Sequence, residues 1–202
     1  MAFTRSRVQP PLGTPMENER KVLIVDLEGT CCDDDSIRSE DRETIEIGAV
    51  VLDLDSMEIT SEFGCFVRPV LNPVLTWFCK SLTTISQEDM DSAEPFKEAW
   101  LGQFIPWVGE KKSFCSWGEY DLHQFQRDCG RSGLDLHFKR YCNLVKMYGR
   151  MAGHRRAMKV LGIKPSGTHH RGLDDARNIA EIAVKMLKDG KRFDFGQVNK
   201  GS

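Results

Sequence analysis

The chain has 202 residues, of which 40% are hydrophobic and 29% charged, with a formal net charge of −2 at pH 7. This length suits one domain with a substantial core, and the composition excludes collagen-like, coiled-coil and wholly disordered chains. The longest strongly apolar runs, residues 22–25 and 49–52, are far shorter than the roughly 18 residues that a membrane span needs. We therefore expect a protein that does not enter a membrane.

Both ends of the chain are polar. Residues 1–20 are rich in Pro and Gly where a secretory signal would have its apolar stretch, which predicts a flexible tail and no export signal. Residues 189–202 are predicted to form a second flexible tail, so residues 21–188 form the folded domain. The seven cysteines form no CxxC pair and lie mostly within apolar segments, which is typical of reduced cytoplasmic proteins. The expected location is cytoplasmic.

Charge is segregated along the chain. Residues 26–62 contain thirteen Asp or Glu and only two Arg, whereas residues 136–173 contain nine Lys or Arg and no acid. Either run alone could be a solvated face. Together they indicate a site that gathers carboxylates beside cations, which suits divalent metal ions and a polyanionic substrate.

The first elements predicted are three strands. Residues 21–27 begin with a continuous apolar run, typical of a strand covered on both faces. Residues 45–52 and 59–67 follow after short polar turns and complete an antiparallel meander. Alternation in the third strand puts four apolar residues on one side: Ile59, Phe63, Cys65 and Val67.

The rest of the domain is predicted to alternate between helices and a strand. Apolar spacing predicts a helix over residues 96–108, with its last turn distorted or ended by Pro106. The remaining elements are a strand at 113–117 and helices at about 121–129, 150–161 and 174–188. The pattern predicts an α/β domain with a mixed sheet.

Two acids end the first strand. Asp26 and Glu28 are two residues apart, which in a strand points both side chains to the same face. Neighbouring carboxylates resist ionisation unless a cation lies between them. The pair therefore indicates a divalent metal site, although acids after a buried strand can also simply reach solvent.

A third acid, Asp121, follows the 113–117 strand at the opening of a helix, where Asp is also a favoured N-terminal cap. The segment from His169 to Asp175 adds two histidines and two acids, and both His169–Asp174 and His170–Asp175 are five residues apart. Helical periodicity distinguishes the two pairs. Steps from Asp175 follow the apolar stripe of the last helix, so Asp175 faces inward and pairs with His170.

These motifs resemble those of the DEDDh 3′-to-5′ exonucleases on the ribonuclease H-like fold, nearest to the branch that trims small RNAs, histone messenger ends and ribosomal RNA ends. The similarity extends over residues 21–188. Its motifs are Asp-Leu-Glu-Gly-Thr at 26–30, Trp-Gly-Glu-Tyr-Asp at 117–121 and His170 to Asp175. Residues 77–79 and 82–86 are similar to a further family segment. The chain departs from the family motifs at Leu27 and Gly29, where the family usually has Phe and Ala, and at Thr84, where it usually has Gly.

The resemblance implies a ribonuclease H-like mixed sheet, a three-stranded antiparallel meander plus parallel strands, flanked by helices. It also implies hydrolysis of nucleic acid from a free 3′ end with two Mg²⁺ or Mn²⁺ ions, releasing 5′ mononucleotides. Asp26 would bridge both ions, Glu28 and Asp175 would hold the first, and Asp121 would hold the second. His170 would be the general base for the attacking water.

The resemblance also implies a substrate pocket formed by Leu27, Phe78, Thr83 and Tyr120, in which the two aromatic rings stack on the terminal base. RNA is favoured over DNA by the resemblance alone, since the distinction depends on a contact to the 2′-hydroxyl. The basic segment from Lys139 to Arg171 would follow the incoming phosphate backbone. The sequence indicates neither protein partners nor oligomeric state.

Two other functions fit parts of the sequence. Residues 25–30 are also close to the DxDGT motif of haloacid-dehalogenase-type phosphatases, in which Asp26 would be a nucleophile, although Glu28 replaces the second Asp. A nucleic-acid-binding adaptor without catalysis is the second alternative. The complete set of four acids and a histidine disfavours it.

Overall fold

The structure is a computed structural model that describes residues 20–198. Nearly all of the predicted N-terminal tail and the last four residues of the predicted C-terminal tail lie outside this part. The described chain contains a six-stranded sheet in the order β3-β2-β1-β4-β5-β6. Its strands are β1 (Lys21–Gly29), β2 (Thr44–Asp53), β3 (Glu58–Phe66), β4 (Ser113–Ser116), β5 (Arg140–Asn143) and β6 (Gly196–Gln197).

Strand pairing gives the sheet its mixed character. Strands β1, β2 and β3 form an antiparallel meander, and β4 and β5 join β1 in parallel. The predicted α/β fold with its mixed sheet is therefore confirmed. The helices are α1 (Trp77–Thr83), α2 (Gln87–Ser92), α3 (Phe96–Ala99), α4 (Ile105–Val108), α5 (Tyr120–Arg131), α6 (Leu144–Tyr148), α7 (His154–Leu161) and α8 (Gly172–Lys188).

The sheet separates two layers of core. Leu23 and Val25 of β1 pack on one face with the aromatic side chains of Phe114 and Phe125, and Ile24 packs on the other face against helices α7 and α8. The continuous apolar run at the start of β1 follows from this double coverage. Among residues 20–198, no helix is long and apolar enough to span a membrane.

The prediction that Ile59 shares a face with Phe63, Cys65 and Val67 is wrong. The pairing of β2 with β3 shifts by one residue, because β3 has an extra residue between its paired positions Ile59 and Ser61. A one-residue bulge reverses the alternation of side chains beyond it. Phe63, Cys65 and Val67 consequently pack on one face of the sheet and Ile59 on the other.

The predicted helix at 96–108 is present, with a distortion earlier than expected. A π-helical turn, Trp100–Phe104, joins α3 to α4, and the Ile105 N–H donates to the carbonyl of Trp100, five residues back. Pro106 follows in the first turn of α4. Because proline has no N–H, the regular series of α-helical hydrogen bonds cannot continue through Pro106. The wider π-helical turn lies just before that interruption.

The C-terminal segment is more ordered than the sequence predicts. Residues 196–197 form β6, which pairs antiparallel with β5, and the Val198 N–H donates to Lys139 O at 2.8 Å. Phe193 and Phe195 pack against the α8 side of the core. Residues 189–198 therefore differ from the predicted flexible tail, because two aromatic rings and a short strand attach them to the sheet edge.

Strand β5 and helix α6 were not predicted. They lie in the basic segment that shows little hydrophobic periodicity, and each has at most five residues. Elements this short contain too few positions for a period to be recognised. Asn143 caps the N-terminus of helix α6, and its side-chain oxygen accepts from the N–H of Val145 at 3.0 Å.

Candidate metal centre and active site

The last residues of β1 carry the first two acids. Asp26 and Glu28 lie within the strand, opposite Gly48 and Glu46 of β2, rather than after it. Their spacing of two places both side chains on one face, as predicted. Glu28 is only 8% exposed and Asp26 is half-buried.

Asp121, in the first turn of α5, is fixed directly to β1. Its Oδ1 accepts the N–H of Leu27 at 2.9 Å, across 94 residues of sequence. Because Leu27 lies between Asp26 and Glu28, this bond holds the Asp121 carboxylate beside both of them. Asp121 is buried, and no side-chain hydrogen bond caps α5, so the capping role considered for it is not observed.

Asp175, in the first turn of α8, completes the group. It is 1% exposed, and its carboxylate oxygens lie within 4.8 Å of ligand atoms of Glu28 and His170. Asp174 has different partners: its carboxylate accepts from Arg177 Nη1 at 2.9 Å and from the Thr168 N–H at 2.8 Å. The structure thus brings Asp175, and not Asp174, to the acids of β1.

Close approach of α8 to the sheet makes this possible. The Gly172 N–H donates to Glu46 Oε2 at 2.9 Å, and a Cβ at Gly172 would lie 2.9 Å from Gly48 N and 3.0 Å from Asp26 O. Contacts as short as these leave no room for a side chain at position 172. Two glycines, one on each element, therefore let the start of α8 rest against β1 and β2.

The acids of β1 and α5 resist ionisation. Burial, together with the charges of Asp121 and Glu28, raises the pKa of Asp26 well above its ordinary value. Burial and the charges of Asp175 and Glu46 raise the pKa of Glu28 to about 8. The pKa of Asp121 is raised to about 6, mainly by burial. Such shifts arise when like charges share a low-dielectric site.

Asp175 is the exception. Burial alone would raise its pKa, but hydrogen bonds to its carboxylate lower the pKa to about 2. The donors are His154 Nε2 at 3.0 Å, the His170 N–H at 2.8 Å and His169 Nδ1 at 3.0 Å. Asp175 is therefore ionised and held in a fixed orientation.

The residues present fit a site for hard divalent cations. Four carboxylates converge, and three of them have raised pKa values, as expected for buried acids that crowd together with no cation between them. Carboxylate oxygens are the ligands that Mg²⁺ and Mn²⁺ prefer. The residues that would hold such ions are Asp26, Glu28, Asp121 and Asp175.

His170 lies at the edge of this group. Its Nδ1 is 3.8 Å from Glu28 Oε1, and its ring stacks on that of His169 with 3.8 Å between ring centroids. Burial and the neighbouring His169 lower the pKa of His170. Its backbone has φ of +60°, a left-handed conformation that His adopts at some cost. An unprotonated imidazole held here can accept a proton.

Three neighbours of the site were not predicted. His154 and Glu46 are both buried or nearly so, and Arg171 pairs with Glu46 through Nε at 3.2 Å. Glu46 could have been found from the sequence, because it is an acid inside an otherwise apolar strand. No sequence pattern relates His154 to the site, because it lies 21 residues before Asp175 and reaches that residue only through the packing of α7 on α8.

The predicted substrate residues differ in exposure. The side chain of Leu27 lies in the core, and Thr83 is fully buried, with its hydroxyl donating to Cys79 O and accepting from the Ile85 N–H. Phe78 is half-buried, and Tyr120 is exposed with its hydroxyl against Gly29. The two aromatic rings are thus the accessible members of the predicted pocket.

The sheet order and helix placement define the ribonuclease H-like fold, and comparison with known proteins identifies the family. The model of the Exonuclease family (RNase_T) matches residues 23–183. The chain therefore belongs to this exonuclease family, whose chemistry uses divalent metal ions.

Solved structures agree with this assignment. The nuclease domain of 3′hExo, a DEDDh family member solved with rAMP, superposes with a TM-score of 0.77 and 31% identity, covering 87% of this chain and 96% of that one. Cell-death related nuclease 4 (CRN-4) superposes with a TM-score of 0.78 and 25% identity, covering 87% and 66%. The resemblance to the DEDDh exonucleases is confirmed.

Curated relatives are longer than this chain. The 3′-5′ exoribonuclease 1 of Rattus norvegicus is 34% identical over 186 residues, which cover 84% of this chain and 53% of the relative. The ERI1 exoribonuclease 2 of Mus musculus is 32% identical over an alignment of 221 residues, gaps included, that covers 92% of this chain and 32% of the relative. The chain thus spans about half the length of the first and a third of the second.

Proposed function

We propose that this protein is a 3′-to-5′ exonuclease that hydrolyses single-stranded or overhanging nucleic acid, RNA in preference to DNA, and releases 5′ mononucleotides. The observation that carries the proposal is the meeting of Asp26, Glu28, Asp121 and Asp175 beside His170 at the end of β1. Family membership and relatives described as exoribonucleases support it.

The four carboxylates, with Asp26 among them, would hold two ions, Mg²⁺ or Mn²⁺. Bound divalent ions neutralise the charge that develops on the phosphate and on the departing 3′ oxygen. Asp121 is oriented for this role by its bond to Leu27 N, and Asp175 by the three donors on its carboxylate. Fixed ligand orientation is what gives such sites their affinity.

His170 would act as general base. A water oxygen would bond to the phosphorus of the last phosphodiester as its proton passes to the His170 imidazole. The bond from that phosphorus to the 3′ oxygen would break, and the departing oxygen would take up a proton from solvent. The lowered pKa of His170, caused by burial and by His169, keeps the ring unprotonated near neutral pH and able to accept that proton.

The terminal base would stack on Phe78 and Tyr120, with Leu27 and Thr83 forming the buried support behind them. Stacking tolerates every base, so little sequence preference is expected. The basic segment from Lys139 to Arg171 would follow the phosphate backbone. Binding should then weaken steeply with salt.

The test uses 5′-labelled RNA and DNA of one sequence, each with a free or a blocked 3′ end, incubated with Mg²⁺, Mn²⁺ or EDTA. We expect stepwise shortening of RNA from the free 3′ end, faster than that of DNA, with 5′ mononucleotides released and no reaction in EDTA. Asp26→Asn should lose activity by orders of magnitude, whereas the control Asp174→Asn should retain it, because Asp174 pairs with Arg177 away from the group.

Two results would replace this proposal. Binding of RNA without shortening in either metal would make the protein an adaptor. Trapping by beryllium fluoride together with release of phosphate from a monoester would make Asp26 the nucleophile of a phosphatase.

A further inference from the structure

A second group of ligand atoms meets at Asp175. His154, in the first turn of α7, and His169, just before α8, point ring nitrogens at opposite oxygens of the Asp175 carboxylate, each at 3.0 Å. The three ligand atoms all lie within 4.8 Å of one another. His154 is 13% exposed, whereas His169 is 41% exposed and leaves the group open to solvent.

The chemistry of these donors differs from that of the acids of β1. Two imidazole nitrogens and one carboxylate oxygen form a set that Zn²⁺ and similar transition metals take, whereas Mg²⁺ prefers oxygen throughout. Bonds of about 2.1 Å in tetrahedral geometry place ligand atoms roughly 3.3 Å apart. His154 Nε2 and His169 Nδ1 each lie 3.0 Å from a different oxygen of the carboxylate, and one ligand atom from each of the three residues lies within 4.8 Å of the others, so small side-chain rotations would bring three donors onto one ion.

We propose that His154, His169 and Asp175 form a binding site for one Zn²⁺-class transition-metal ion, separate from the site proposed for Mg²⁺ or Mn²⁺. The fourth position would be open to water, on the exposed side of His169. The two ring nitrogens that now face the carboxylate would bind the ion through their lone pairs, and each ring proton would move to the other nitrogen of its ring. Arg155, whose Nε is 4.0 Å from Asp175 Oδ1, is the competing cation and would have to move aside.

Because Asp175 belongs both to this site and to the acids beside His170, an ion bound here would affect those acids. The same carboxylate lies within 4.8 Å of ligand atoms of Glu28 and His170, so an ion held by the two histidines draws Asp175 away from the acids of β1. Zn²⁺ would then inhibit cleavage supported by Mg²⁺. This consequence rests on the proposed function, whereas the binding site itself does not.

The binding test uses Co²⁺ and Zn²⁺ alone with the full chain. Co²⁺ absorption distinguishes nitrogen and oxygen ligands from thiolates, which matters because the described residues include seven free cysteines. We expect visible bands without a thiolate band, and calorimetry of Asp26→Asn, in which the acids of β1 are disabled, should give a stoichiometry of one Zn²⁺. His154→Gln and His169→Gln should each weaken binding by at least about tenfold, while their amides can still hydrogen-bond to Asp175.

Two matched variants complete the test. His123→Gln alters an exposed histidine on α5 and should bind Zn²⁺ as the unaltered protein does. Asp26→Asn disables the acids of β1 and should also bind it normally. Equal affinity in His154→Gln, His169→Gln and the unaltered protein would overturn the proposal, as would a spectrum dominated by thiolate. Thermal melting checks that each variant folds.

The inhibition test measures the Zn²⁺ concentration that halves cleavage in excess Mg²⁺, relative to each variant's own uninhibited rate. His154→Gln should need at least about tenfold more Zn²⁺. Unchanged inhibition in this variant, with weakened Zn²⁺ binding, would show that Zn²⁺ acts at the acids of β1, which overturns the inhibitory role. Absence of cleavage in every variant would count against the proposed function alone, because the binding result stands without it.

Discussion

The backbone of Gly48 in β2 lies directly against the backbone of Gly172, the first residue of α8. A Cβ at Gly48 would overlap the carbonyl carbon of Gly172 and the nitrogen of Leu173. This contact sets the distance of α8 from the sheet and therefore the position of Asp175, one turn further along.

Gly48→Ala tests that relationship. The added methyl group meets backbone and not a movable side chain, so α8 must shift; we expect a loss of about 3 kcal/mol in the free energy of unfolding and a fall in nuclease activity. Urea denaturation and an oligonucleotide assay measure the two effects. Gly64→Ala is the control, because its Cβ would lie 3.5 Å from Leu173 Cδ2, an ordinary contact. Equal stability of the two variants would contradict the role assigned to the glycine pair.

The raised pKa of Glu28, about 8, predicts the pH dependence of stability in the metal-free protein. An acid whose pKa is higher in the folded than in the unfolded state loses stability as pH rises from the unfolded value, near 4, through the folded one. The lowered pKa of His170 acts in the opposite direction only below about 6.5. Asp26, whose pKa is also raised by burial, adds to the loss, whereas Cys79, whose pKa is lowered to about 7 by its hydrogen bond with Cys31, acts against it. The contribution of Glu28 between pH 7 and 9 is therefore the difference between the unaltered protein and Glu28→Gln.

The measurement is the melting temperature in EDTA across that range. It should fall with pH in the unaltered protein and fall less in Glu28→Gln, which has no charge to bury. Added Mg²⁺ should raise the melting temperature at pH 8 only where the acids are intact. If the melting temperature fell equally with pH in the two proteins, Glu28 would ionise in the folded state without loss of stability, which would contradict the prediction.

His170→Asn separates chemistry from backbone strain. Asn tolerates the left-handed conformation that His170 adopts at φ of +60°, so folding should be unimpaired. Loss of the base should lower the cleavage rate by roughly 10²–10⁴-fold. Single-turnover kinetics and melting curves test both statements, with His123→Asn on the exposed side of α5 as the control. A rate near that of the unaltered protein would assign the proton to another group.

Thr84 ends α1 in a left-handed conformation, φ of +60°, where a β-branched residue is strained. Its side chain is exposed, so Thr84→Gly removes strain and little packing. We expect a gain of about 1 kcal/mol in stability. Thr60→Gly, an exposed residue of β3 outside that conformation, should change stability in the opposite direction. A loss in both variants would mean that Thr84 makes contacts that outweigh its strain.

Local periodicity made much of the architecture predictable. The three strands of the meander and helix α8 were predicted because each is long enough to show its period, and the same argument distinguished Asp175 from Asp174. The face of Ile59 was predicted wrongly, because a bulge between β2 and β3 leaves no mark on the sequence. The attachment of residues 189–198 to the fold was not predicted for a related reason, since it depends on the pairing of β6 with the edge of β5.

The sequence by itself determined which side chains could do chemistry and, wherever a strand or helix is regular, which way each of them faces, because those properties depend only on residue type and backbone period. The tertiary structure alone decided the distances between elements. The bond from Asp121 to Leu27 and the bond from His154 to Asp175 join parts of the chain that no local pattern relates. They form because side chains must pack across the sheet, and packing is a property of the whole fold.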